Sequence, residues 1–199
     1  LTGAGQGGEI TRLLRAYHEG DREAFGQVIP FVYDELRRLA RRHLRRGPGG
    51  RTLDTTGLVH EAYMKLAADS GLRVNDRGHL MAVTACAMRQ VLVDRARARL
   101  RMKRGGGREP QELDEARVPG GTGPEWLVDL DRALARLQEH DAALVRIFEC
   151  RFFAGLSEEE TADALGISLR TAQRGWMRAR GWLRAELVPE RRGTTGAGG

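Results

Sequence analysis

Apolar residues recur along this chain at helical spacing, and no stretch alternates apolar and polar residues as a half-buried strand does. Ile10, Leu13, Leu14 and Tyr17 follow the i, i+3, i+4, i+7 pattern of one helix face. Asp21 is placed to cap a helix through Val28, Pro30 suits a kink or a new first turn, and helix resumes through Arg46 with Val32, Leu36, Leu39 and Leu44 inward. Thr55 or Thr56 is placed to cap a helix to about Ala68, with Leu58, Val59, Ala62, Tyr63 and Leu66 inward. Asn75 or Asp76 opens a long helix to about Lys103. Further helices are expected at about 125–138, 141–153, 157–165 and 169–187.

The breaks are glycine and proline. G-P-G-G at 47–50 interrupts the first half, and the aperiodic stretch Arg104–Pro124 reads as a linker. The expectation is an all-α chain in two helical bundles. The first spans 9–104 and the second 124–188, with a flexible linker at 105–123 and disordered ends at 1–8 and 189–199.

One local pattern in the second half carries chemistry. In G-L-S-E-E-E-T-A-D-A-L-G-I-S-L-R-T-A-Q-R-G-W, Ser157 and Glu160 make a capping box, Gly166 suits the left-handed end of a helix, and Ser168 caps the next one. Leu169, Ala172, Trp176, Ala179 and Leu183 form one apolar stripe, which leaves Arg170, Thr171, Gln173, Arg174 and Arg178 on the other faces. That is the layout of a helix-turn-helix, whose second helix enters the DNA major groove; Arg and Gln suit guanine and adenine edges there. An ordinary helical hairpin with a solvated basic face accounts less well for the spacing of cap, glycine, apolar plug and cap.

Charge sharpens the picture. Residues 1–104 hold 20 Lys/Arg against 11 Asp/Glu, residues 105–168 hold 6 against 14, and residues 169–199 hold 7 against 2. Two basic blocks flanking an acidic one point to a polyanion touched at two places, with the acidic block holding the basic ends apart or facing a basic protein. Arg95, Arg97, Arg99, Arg101, Lys103 and Arg104 crowd one helix end, and favourable interaction with the helix dipole explains one or two of them, not six. Phosphate contact explains the rest.

Other chemistries fit poorly. Cys86 and Cys150 form neither a disulfide framework nor a metal site. The five histidines are scattered, and His60-Glu61 lacks the second His of a zinc-protease helix. Arg104–Arg108 is no phosphate loop, since no strand precedes it and no Gly-Lys-Ser/Thr follows. No catalytic residue, metal, cofactor or small-molecule substrate is expected. No apolar run reaches the ~18–20 residues of a membrane span and L-T-G-A-G-Q-G-G lacks a secretory pattern, so a cytoplasmic, membrane-independent protein is expected.

Four phrases in order resemble bacterial sigma factors of the extracytoplasmic-function (ECF) type over about 9–188. L-L-R-A-Y-H-E-G-D-R-E-A-F resembles the opening of sigma region 2, and T-T-G-L-V-H-E-A-Y-M-K-L the stretch that binds the polymerase β′ clamp helices. H-L-M-A-V-T-A-C-A-M-R-Q-V-L-V-D-R-A-R-A-R-L-R-M-K-R-G-G-G resembles the segment that melts and reads the minus-ten element, and the helix-turn-helix resembles region 4, which reads the minus-thirty-five element. L-V-H-E-A-Y, A-M-R-Q-V-L-V-D-R-A-R-A-R and K-R-G-G-G resemble an expanded subgroup of planctomycete-like and acidobacterial genomes.

The resemblance implies a non-enzymatic initiation subunit that brings core polymerase to promoters. Its implied partners are core polymerase (β′ clamp helices and β flap), promoter DNA and an anti-sigma protein. It implies polymerase docking through Val59, Glu61, Met64 and Lys65. It implies minus-ten binding and melting by Asn75 and Asp76, at the rim of a base pocket in the 68–76 loop, with Arg89, Gln90, Arg95, Arg97 and Arg99 along the strand. Minus-thirty-five binding falls to Ser168, Arg170, Thr171, Gln173, Arg174 and Arg178. A stand-alone helix-turn-helix regulator with a dimerising first half is the alternative. A recombinase would need a carboxylate cluster or a Ser/Tyr nucleophile that the sequence does not offer.

Overall fold

The computed structural model describes residues 3–46, 53–69, 71–105 and 123–187. Every regular element among them is helical. The first half holds α1 (Gly3–His18), α2 (Arg22–Arg46), α3 (Thr55–Ala67) and α4 (Arg77–Gly105). The second holds α5 (Pro124–His140), α6 (Ala142–Phe148) with a π-helical continuation (Glu149–Ala154), α7 (Glu158–Leu165) and α8 (Leu169–Leu187). The linker expected at 105–123 lies outside the described residues except at its two ends, as does the tail expected at 189–199. At the other end α1 already runs from Gly3, upstream of the expected start at residue 9.

Local chemistry sets the helix starts. Asp21 accepts from the N–H groups of Glu23 and Ala24 at 3.0 and 3.2 Å and starts α2. Of the kink or new first turn expected at Pro30, the new first turn does not occur, and α2 runs through the proline. Phe25 and Val28 before the proline, and Val32 and Leu36 after it, lie buried in one core, and that shared face outweighs the lost hydrogen bond. The cap of α3 is neither Thr55 nor Thr56 but Asp54, whose carboxylate takes the Gly57 N–H at 2.7 Å. Asp141 caps α6 through the N–H groups of Ala143 and Leu144.

The core is continuous between the halves. One buried cluster runs from Ile10, Phe25 and Leu36 through Met88 and Leu92 to Leu127, Phe148, Phe153 and Leu183. In the first half the Phe25 ring stacks on Tyr63 and meets Tyr17 at a tilt, with centroids 5.7 and 5.1 Å apart. In the second, Phe148 stacks on Trp176, seating α8 on α6. Gly175 permits that approach: a Cβ there would lie 2.3 Å from Ile147 Cδ1.

Candidate nucleic-acid interface

The helix-turn-helix closes through its own backbone. Ser157 Oγ accepts from the Glu160 N–H at 3.1 Å while the Glu160 carboxylate takes the Ser157 N–H at 2.7 Å, the capping box expected from the sequence. The Glu159 N–H, at this helix start, and the Ser157 hydroxyl hold the Glu159 carboxyl below its usual range. Gly166 sits at φ 63°; its N–H bonds the Asp163 carbonyl and the Ile167 N–H bonds the Ala162 carbonyl, which satisfies two otherwise orphaned acceptors. Ser168 Oγ accepts from the Thr171 N–H at 3.1 Å and starts α8.

On α8, Ala172, Ala179 and Leu183 turn inward while Arg170, Thr171, Gln173 and Arg174 stand exposed in its first two turns. Among the described residues no ion pair engages Arg170 or Arg174. Gln173 Nε2 donates to Glu158 at 2.8 Å, and Arg178 pairs with Asp141 at 3.5 Å. Ser168, expected as a DNA contact, serves here as a cap that also bonds the Thr171 hydroxyl.

The first-half residues divide differently. Asn75 is exposed, but Asp76 caps α4 by accepting the His79 N–H at 2.8 Å, so its carboxylate supports a helix start rather than facing outward as a pocket rim. The loop before it is pinned by His18 Nε2, which accepts the Val74 N–H at 3.1 Å. Val59, expected on the polymerase face, is buried in the core together with Leu58, Ala62 and Leu66. Met64 remains exposed, Lys65 pairs with Asp94 at 3.4 Å, and Glu61 bonds Arg95, which joins the expected polymerase face to the expected DNA face.

Along α4, Gln90, Arg97, Arg99 and Arg101 are exposed and Arg95 is half-buried. The side chains of Lys103 and Arg104 lie outside the described residues. Arg89 is buried and donates to two carboxylates of the second half, Asp131 and, at 3.0 Å, Glu149; it also lies over the Phe153 ring. Arg97 donates to the other Asp131 oxygen at 2.8 Å. Nearby, Arg42 and His43 of α2 bond the carbonyl of Phe153, and Arg42 also that of Ala154, at the end of the π-helical turn. An arginine set between Met88 and Val91-Leu92 is a sign of a buried cation needing acids, although nothing in the sequence says which acids.

Cys86 of α4 and Cys150 of the π-helical turn meet this seam. Burial, helped by the Glu149 carboxylate, pushes the Cys86 thiol well above its usual range, and the same causes push Cys150 up to about 12. No group of three or more potential metal ligands is found among the described residues. No helix among them is long and apolar enough to cross a membrane.

A family model described as ECF sigma factor matches residues 7–189. No curated protein matches the chain.

Proposed function

The chain belongs to the ECF sigma factor family, DNA-binding proteins of transcription, and from that premise we propose that it brings core RNA polymerase to specific promoters and helps open them. The observation that carries the reading is the start of α8: Arg170, Thr171, Gln173 and Arg174 stand exposed on a helix whose opposite face is locked into the core. That geometry suits a helix laid in a major groove, with its first turns toward base edges. It supports minus-thirty-five recognition by these residues together with Arg178, with Ser168 fixing the angle at which the helix enters.

On this reading α4 meets the minus-ten region. Gln90, Arg95, Arg97, Arg99 and, once released, Arg89 follow the opened strand and its phosphates, and exposed Asn75 borders the place where a base is extruded. Unstacking a base step costs a few kcal/mol, and capture of the extruded base recovers part of it. The exposed edge of α3, with Met64, Lys65 and Glu61, is the docking face for the β′ clamp helices, and the second half meets the β flap. The protein acts without cofactor and is not an enzyme: its work is binding energy spent on position and strand separation. It operates in the cytoplasm, where an anti-sigma protein is a fitting regulator.

The test is transcription by core polymerase on a promoter library with and without the chain. Specific transcripts that appear only with it are expected. Start sites unaltered by the chain, or tight binding to a palindromic duplex without polymerase, would overturn the reading, the second in favour of a stand-alone regulator.

A further inference from the structure

The outer face of α8 changes character along its length. Its first two turns present Arg170, Gln173 and Arg174, all exposed. The third turn continues the same face with Met177, which follows them at the i+7, i+4 and i+3 spacings of one helix side. Met177 is 67% exposed. A single apolar residue on a solvated surface is ordinary. One centred on a row of hydrogen-bonding side chains assigned to base edges stands where it has something to contact. The neighbouring cations leave it room. Arg178 pairs with Asp141 at 3.5 Å on one flank, and Arg180 lies over the Trp176 ring, 5.4 Å from its centroid.

One turn further along that face is Gly181, also exposed. A glycine inside a helix gives up stability relative to alanine, so its presence needs a reason. Gly175 of the same helix has one, since a Cβ there would run into Ile147. Gly181 has no such reason inside the chain. Its φ is not left-handed, and a Cβ there would meet no described atom within 4 Å. The space it leaves is on the outside of the molecule, in line with Met177.

We propose that the third turn of α8 also enters the groove: Met177 reads a thymine through its C5-methyl group, and the bare backbone at Gly181 lets a sugar-phosphate strand come close. The proposal rests on the assignment of α8 to the upstream duplex. Arg and Gln select bases by hydrogen bonds, whereas the C5-methyl is an apolar mark that thymine alone presents in the major groove. A methionine suits it, because its unbranched, polarizable thioether adjusts to the surface it meets. Removing one methyl group from water is worth about fourfold in affinity. Met177 and Arg174 are about 4.5 Å apart along the helix axis, so the thymine lies within about two base pairs of the pair that Arg174 reads.

The test begins by enriching duplexes from a random library on the full chain. Fluorescence anisotropy then compares the enriched duplex with versions carrying deoxyuridine, which lacks only the methyl group, at each thymine in turn. Wild type is expected to lose about fourfold at one thymine. Met177→Gln keeps the reach of the side chain but not its apolar end, and is expected to bind the two duplexes alike. Met177→Leu is expected to keep the difference. Gly181→Ala is expected to raise the thermal midpoint yet weaken binding to every duplex, opposite signs that a merely structural glycine would not give. No methyl effect in wild type, or the full effect in Met177→Gln, would overturn the role of Met177. Gly181→Ala binding as tightly as wild type would overturn the close approach. Both positions are exposed, and circular dichroism checks that the variants are folded. A library that yields no enriched sequence takes α8 off the duplex, and the proposal falls with that reading. An enriched sequence indifferent to the methyl group keeps α8 on the duplex and removes Met177 alone.

Discussion

Arg174 and Arg97 carry the same charge in opposite circumstances. Arg174 is solvent-facing on α8, and Arg97 is held by Asp131. Arg174→Ala is expected to relax one base preference in the upstream element by about 1–3 kcal/mol while leaving the fold intact, as measured by binding across a duplex library. Cys150 tests the seam through titration. Its thiol stays neutral in the folded chain up to about 12, whereas in the unfolded chain it ionises around 9.0. The stability it contributes is therefore fully present below 9.0 and is lost as pH rises toward 12. The thermal midpoint of wild type is expected to fall relative to Cys150→Ala between about pH 8 and about pH 10.5, as followed by circular dichroism. A difference independent of pH would remove burial of this thiol from the account.

Elements in this chain are set by their ends more than by their middles. Asp21, Ser157, Gly166 and Ser168 each perform the role their position in the sequence announces, because a cap reaches only two or three residues. The two misplaced boundaries have physical causes. Asp54 displaces the threonines because its carboxylate reaches the Gly57 N–H from outside the helix. Pro30 fails to break α2 because Phe25, Val28, Val32 and Leu36 bury on both sides of it. The turn of the helix-turn-helix depends on a left-handed residue. Gly166→Ala is expected to cost about 1–2 kcal/mol, read from the urea midpoint, with the slope unchanged.

At the scale of the whole molecule the two bundles are not independent heads. Leu92, Leu127 and Phe153 belong to one core, and the Arg89 cluster closes across it. Calorimetry of wild type is expected to show one cooperative transition. Asp131→Asn/Glu149→Gln strands Arg89 in a poorly solvated site, so its expected trace divides into two transitions, one for each half. A single transition in both proteins would mean that the apolar contacts alone unite the halves.

The sequence by itself determined the helical class, the helix-turn-helix, most caps and the family, since periodicity, capping and motif spacing are short-range and leave their mark on adjacent residues. It also showed an acidic block between two basic ones. Which acids meet which arginines was decided only by the tertiary structure. Arg89 lies 42 residues from Asp131 and 60 from Glu149, and no local rule ties residues that far apart. The burial of Val59 and the covering of Arg89 share that origin. Side chains of one helix are assigned to core, seam or solvent by what packs against them, and that partner is chosen by the fold.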